Sequence, residues 1–374
     1  LAGGGAGGIG DGGPATAAVL AFPYDVAPAP DGGLLVPEVD GLRVRKFRPG
    51  GTIETIAGTG STDGPRYGVP ATAASLAQPA AVAADAAGNV YVGSPEGVVR
   101  LDASSGLLTR FAGGGESNAG DGGPATAVHL SAPWKIAVDG RGGLLIAEFG
   151  ANRVRRVDLS TGIISTVAGT GVAGFSGDGG PATAARLNGP AGLDVDANGN
   201  FFLVVRRPPR STLFPAAARA RSTVAGGGPV YPTVPVRAVE AQLPGLWSLA
   251  SDGMGRLVFN VGAGLARFDP ATGLVSPLGP IQAYLGMTGD GGPLSAATFG
   301  SIRGLRFDSS GNLFVADGGS NRIRAVFACV TVGAPSLSVP ADGATGTSTG
   351  PTLTWSSVAG AFRYDVYLGT TNPP

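Results

Sequence analysis

One cysteine, Cys329, one histidine, His129, and two methionines are all that the 374 residues hold of these types. A lone cysteine excludes an intrachain disulfide framework. A lone histidine excludes a zinc site of three histidines. It also leaves a Ser-His-Asp site nothing but His129, which sits in a glycine-rich linker. Charged residues make up only 14%, with 26 basic and 26 acidic side chains, so no charge excess predicts nucleic acid as a partner. No apolar run approaches the roughly 18 residues of a membrane-spanning helix, so no membrane span is expected. No long segment has a helical period, because Gly or Pro interrupts nearly every window. No secretory leader is visible. The chain starts inside a repeat phrase at Leu1 and stops inside another motif at Pro374, so it reads as a piece of a longer protein.

What the chain has instead is 66 glycines and 30 prolines set at regular intervals between apolar runs, with 43% hydrophobic residues. The phrase Gly177-Asp178-Gly179-Gly180-Pro181-Ala182-Thr183-Ala184-Ala185-Arg186-Leu187 returns around Asp11, Asp121 and Asp290, in damaged form around Asp63, and diverged near Gly228-Pro229. Successive aspartates lie 52, 58 and 57 residues apart, and the last gap of 112 holds two units. Six copies at a period of about 56 residues predict a repeat architecture.

Each copy reads as four strands. A short apolar strand (Leu193–Asp196 in the fourth copy) leads through a Gly turn to a second that is apolar almost throughout (Phe201–Val204). A third alternates, as in Arg153-Val154-Arg155-Arg156-Val157, and an outermost strand follows a second Gly turn, as in Ile163–Ala168. Asn198-Gly199 and its counterparts fit two-residue hairpins. Strands apolar on both sides suit burial between stacked sheets. The expectation is an all-β, six-bladed β-propeller of four-stranded antiparallel blades. A solenoid is the rival, but it needs polar capping repeats. Leu1-Ala2-Gly3-Gly4-Gly5 matches the end of an outermost strand (Val167–Gly171), while the last copy lacks a fourth strand. The N-terminus is therefore expected to complete the last blade.

These residues resemble NHL-repeat propellers through Asn152-Arg153-Val154-Arg155-Arg156-Val157-Asp158, Gly311-Asn312-Leu313-Phe314-Val315-Ala316-Asp317 and Ser176–Ala182. The resemblance covers residues 1–332, with departures after Val205 and near Val261. Residues 333–374 resemble the start of a fibronectin type III or immunoglobulin-like module, carried by Pro351-Thr352-Leu353-Thr354-Trp355 and Arg363–Gly369, with Trp355 as its core aromatic. About 40 of the roughly 100 residues of such a sandwich are present. Such modules beside propellers imply an extracellular or cell-surface bacterial setting. The NHL resemblance fixes a fold and leaves function open, because the family includes adhesion and signalling modules as well as enzymes.

Connections in a blade alternate between two faces, so the long glycine-rich linkers share one face, where binding is expected. There each innermost strand begins at one aligned position, held by Tyr24, Ala80, Trp134, Ala191, Trp247 and Arg303, with Asp25 and Lys135 following directly. Aromatic anchors flanked by charge suit protein or glycan contact; the alternative is packing between blades. Candidate ligand-binding residues are therefore Tyr24, Asp25, Trp134, Lys135, Trp247 and Arg303. Glu38, Glu148 and Asp317 end second strands and precede Arg43, Arg153 and Arg322 by five residues, which predicts cross-strand ion pairs rather than an acid/base pair or metal ligands.

Gly169–Gly174 matches G-x-G-x-x-G, but no helix follows to face a pyrophosphate. Asp194–Gly199 imitates a calcium loop whose twelfth position is Val205. The Asp of each glycine-rich phrase reads as a turn former, with calcium as the alternative; otherwise no cofactor or metal is expected. Arg206, Arg207, Arg210, Arg219 and Arg221 read as a solvated blade edge, with anion binding as the alternative. No catalytic residue is assigned. The leading reading is a non-catalytic binding scaffold for a protein or glycan. The alternatives are a propeller lactonase or lyase with an oxygen-ligated metal on the axis, and a passive structural spacer.

Overall fold

Short apolar strands broken by glycine every few residues can satisfy their backbone only by folding into antiparallel hairpins. The structure, a computed structural model, describes residues 1–63, 66–117, 120–206, 209–214, 221–281, 288–327, 337–339 and 354–355. The chain divides into two compact units, Leu1–Val326 and Phe327–Pro374. The first is a β-propeller of antiparallel sheets, each with four main strands.

Five sheets are each built from one continuous piece of chain. From innermost to outermost strand, the first runs Ala27–Pro28, Leu34–Glu38, Arg43–Phe47, Ile53–Ala57. The second runs Ala81–Ala84, Val90–Ser94, Gly97–Leu101, Leu107–Ala112, and the third Pro133–Val138, Gly143–Glu148, Arg153–Asp158, Ile164–Ala168. The fourth runs Pro190–Val195, Phe201–Arg206, Pro209–Phe214, Ser222–Gly226, and the fifth Leu249–Ser251, Leu257–Val261, Gly264–Asp269, Leu274–Pro277. Val69–Pro70 and Val236–Arg237 add short outer fifth strands to the second and fifth sheets. The sixth sheet joins Ile302–Phe307, Leu313–Asp317 and Arg322–Val326 to the N-terminal strand Ala2–Gly3. That strand lies where its sequence places it: Ala2 pairs with Ile323 and Gly3 with Arg322, and the Leu1 N–H donates to Ile323 O at 2.9 Å. The innermost strands pack against one another in cyclic order, the sixth returning to the first. The ring is closed, which removes the solenoid.

Alternation along each strand explains the ring. In the third sheet, Leu144 and Ile146 pack with Ala81 and Tyr91 of the second, while Leu145 and Ala147 pack with Leu193 and Leu203 of the fourth. In the first sheet Leu34 and Val36 pack with Phe314 of the sixth, and Leu35 with Val82 of the second. Each sheet is therefore greasy on both faces, and each interface holds its own core. Burying one such side chain contributes about 1.5–3 kcal/mol, an amount an isolated sheet would forgo.

Two local details differ from the sequence reading. The glycine-rich phrase carries a single 3₁₀ turn after its proline, at Ala15–Ala17, Ala71–Ala73, Ala125–Ala127 and Ala182–Ala184. Its first residue is buried in these four and half-buried at Leu294 in the Asp290 copy, so the phrase is a packed connection. The first hairpin has a three-residue loop, not two. Gly199 N–H bonds to Asp196 O, and Asp196 N–H to Asn200 O, both at 2.9 Å. Only Gly199 takes a positive φ, 76°, which is a type I turn followed by a left-handed glycine.

In the second unit, Leu337–Val339 and Thr354–Trp355 pair antiparallel, with Leu337 opposite Trp355. The remaining stretches that carry the immunoglobulin-like resemblance, Pro351–Leu353 and Arg363–Gly369, lie outside the described residues.

Candidate binding site at the axis of the ring

The aligned position at the start of the innermost strands alternates large and small. Ala80 and Ala191 are buried there, and the space they leave lets side chains from non-adjacent sheets meet. The rings of Trp134 and Trp247, two sheets apart, approach to 5.8 Å between centroids. Trp134 also stacks on Phe149 at 4.2 Å and 20°. The Arg206 guanidinium lies over Trp247 at 3.5 Å. Arg303 lies over Trp247 at 4.8 Å and over Phe22 and Tyr24 at 5.6 Å each. Phe22, Tyr24, Trp134, Phe149, Arg206, Trp247 and Arg303 are all half-buried, so they form one cluster that is packed and partly wet. Each cation–ring contact contributes about 0.5–2 kcal/mol according to its desolvation. Burial pushes the Tyr24 hydroxyl above its ordinary range, against the pull of Arg303 and Arg206. Gly318 leaves room for the arginine stem: a Cβ there would meet Arg303 Cγ at 3.2 Å.

Of the six residues singled out in the sequence, the structure brings four together: Tyr24, Trp134, Trp247 and Arg303. Asp25 and Lys135 are placed differently. They are 0% and 2% exposed and form an ion pair with each other, joining the first sheet to the third. Successive strand residues point to opposite sides, so a residue that follows a rim aromatic turns inward. Asp25 also accepts the N–H of Val26 at 2.9 Å and of Val82 at 3.4 Å. An ion pair between Asp194 and Arg306 joins the fourth sheet to the sixth in the same way, and Asp194 accepts Ser251 N–H at 2.7 Å. Ser248 Oγ accepts Leu305 N–H at 3.0 Å. These side chains satisfy the inner-edge N–H groups of the next sheet, groups that a strand edge would otherwise leave open. Burial lowers the pKa of Lys135, and Arg306 lowers it further, while Asp25 and Asp194 oppose the shift.

The acids ending the second strands serve the backbone. Glu148 pairs with Arg153 at 2.6 Å, as its spacing predicts. Glu38 and Asp317 instead face Arg45 at 3.6 Å and Arg324 at 4.0 Å. Arg43 donates to the carbonyls of Gly41 and Thr59, and Arg322 pairs with Asp290 at 3.5 Å. Each acid also receives N–H groups at the start of an innermost strand: Ala21, Ser131, and Gly300 with Ser301. Asn260 does the same for Trp247 and Ser248. The phrase aspartates are not simple turn formers: Asp11, Asp121, Asp178 and Asp290 pair with Arg45, Arg155, Arg221 and Arg324. Arg221 is 1% exposed, so it is no solvated edge, and Arg210 lies over Phe175 at 4.1 Å. Arg207 and Arg219 lie outside the described residues. Among the described residues, no three His, Cys, Asp or Glu side chains are grouped to hold a metal ion.

Phe22, Phe149 and Arg206 complete the cluster and were missed in the sequence as members of it. Phe149 and Arg206 sit at or just beyond the end of a second strand, opposite the start of an innermost strand, and that register was the available signal.

No family model matches the chain, and no curated protein matches it. Among solved structures, it is similar to a protein of unknown function from Bacteroides thetaiotaomicron, at 18% identity and TM-score 0.59, covering 85% of this chain and 73% of that one. An auxiliary nutrient binding protein from the same organism matches at 12% and 0.57, over 82% and 69%. A gluconolactonase from Xanthomonas campestris matches at 16% and 0.51, over 80% and 84%. At these identities the likeness defines the class of protein, an all-β propeller, and nothing finer.

Proposed function

We propose that this protein is a non-catalytic binding scaffold that takes a protein or glycan ligand at the aromatic–arginine cluster on its long-loop face. Counting the composite sixth sheet as a blade, it is a six-bladed propeller of the NHL type. We place it outside a bacterial cell or on its surface, with the second unit opening a fibronectin type III or immunoglobulin-like module.

The observation that carries this reading is the cluster itself. Seven half-buried side chains from five sheets converge there, four of them at the aligned position that buried Ala80 and Ala191 hold in the second and fourth sheets. Aromatic and arginine side chains are the types that dominate binding hot spots. The lactonase or lyase reading would need converging oxygen ligands. Asp25 and Asp194 are paired to Lys135 and Arg306 instead, so nothing in the site favours it.

The test is a glycan-array and secreted-protein binding screen of the intact chain against a Trp134→Ala, Trp247→Ala variant. Ligands retained by the first and lost by the second support the reading. A variant that stays folded and keeps every ligand overturns it.

A further inference from the structure

The cluster's own geometry narrows the ligand, given the reading of it as a binding site. A neutral sugar grips an aromatic ring by laying a C–H face on it, and a protein partner anchors a large side chain in an open pocket. The rings here are already engaged. Trp247 lies against both Arg206 and Arg303, and Trp134 against Phe149 and Trp247. What is left to offer is the edge of a guanidinium. A guanidinium held over a ring keeps its in-plane N–H donors for a planar, two-oxygen acceptor.

Arg303 is the cation with capacity to spare. Among the described residues it forms no ion pair; the Tyr24 hydroxyl is a hydrogen-bond partner, and its Nε is buried without one. The nearby carboxylates are committed elsewhere. Asp25 is bonded to Lys135 and to two backbone N–H groups. Asp317 accepts from Gly300, Ser301 and Ser320. The aromatic shelf of Phe22, Tyr24 and Trp247 keeps the Arg303 charge in a partly desolvated setting, where an anion is held more strongly than in water. Further along the innermost strands, the Asp25–Lys135 and Asp194–Arg306 pairs tie alternate sheets together, so a ligand meets the cluster from the rim and presents an end or a side group.

We propose that the cluster binds a carboxylate-bearing glycan, with the uronate carboxylate seated on Arg303. Calorimetric titration of the full chain with trigalacturonate, its methyl-esterified form, neutral galactotriose and an acidic tetrapeptide tests this. Trigalacturonate is expected to bind, with the esterified and neutral forms at least about tenfold weaker, since a charge-assisted hydrogen bond supplies that much. Arg303→Gln should weaken trigalacturonate by about tenfold or more, and Arg303→Lys by less, with thermal unfolding confirming that both variants fold. Should Arg303→Gln not fold, the acid-against-ester comparison on the unaltered protein still decides. Equal binding of the acid and its ester overturns the carboxylate claim and leaves the binding-site reading standing. Binding of the peptide without trigalacturonate overturns the glycan claim. Binding of no probe overturns this inference, whereas the broader screen alone decides whether the cluster binds anything.

Discussion

In sheets one, three and six the third strand carries Arg45, Arg155 or Arg324 opposite Val36, Ile146 or Val315. In sheets two and five the same position, opposite Val92 or Phe259, is Val99 or Ala266. All five side chains are buried. What separates the two groups lies in another part of the repeat. The glycine-rich phrase keeps its aspartate before the first group, and is damaged near Asp63 or diverged near Gly228 in the second. A buried guanidinium survives only above a carboxylate, because removing its water costs several kcal/mol that a partner must offset. Sheet four shows that the pair matters more than the position. Thr212 holds the usual site, and Arg221, just before the adjacent outermost strand, reaches Asp178 at 3.3 Å and Ser176 O at 2.7 Å instead.

The largest effect should come from breaking a pinned sheet. Arg45→Met leaves Glu38, 2% exposed, with no other cation among the described residues within ion-pair distance, and is expected to cost about 3–5 kcal/mol in denaturant unfolding. Adding Glu38→Leu should recover a good part of that loss, and no recovery would refute the pairing argument. At the matching site of the second sheet, Val99→Ala removes only methyl groups. It should cost about 1.5–2 kcal/mol, and a second substitution at Ser94, which ends the neighbouring strand as Glu38 does, should add no coupling. Asp121→Asn comes next. Its carboxylate is half exposed and an asparagine keeps the acceptor oxygen that Arg155 reaches at 2.7 Å, so a loss of about 0.5–1 kcal/mol is expected after solvent screening; a loss as large as that of Arg45→Met would show that the charge of the phrase aspartate, beyond its acceptor oxygen, holds the arginine.

The smallest effect is a slope. Burial raises the Glu38 pKa, with Arg45 the chief opposing influence. The folded state therefore holds the proton more tightly than the unfolded chain does. That contribution to stability is fully present below the ordinary glutamate value of 4.5 and is lost as pH rises through the raised folded value. Glu38→Gln should flatten the stability-against-pH curve in the window just above 4.5; stepped-pH unfolding with an unchanged slope would contradict it.

The strands were legible because glycine turns bracket each apolar run, and the closure was legible because Leu1–Gly5 copies Val167–Gly171. The side-chain partners were legible only where they lie directly across a hairpin, as Glu148 and Arg153 do. Arginine is long enough to serve an acid two positions away, so Glu38 took Arg45 and the spacing rule failed. The phrase aspartates were misread because nothing local says that the third strand, 34 residues on, passes beneath them. At the axis, the aligned position found Tyr24, Trp134, Trp247 and Arg303. It did not reveal that Asp25 and Lys135 meet, because their sheets are not neighbours and the contact spans 110 residues.

The two-residue N-terminal strand sets an order of assembly. Its partner, Arg322–Val326, emerges from the ribosome more than three hundred residues later, as the 322-residue separation between Leu1 and Ile323 records. Until then the Ala2–Gly3 strand has no partner, and one edge of the growing arc stays open to the wrong one. A chain that stops short of Arg322 would therefore hold nearly all of the propeller's strands and no clasp.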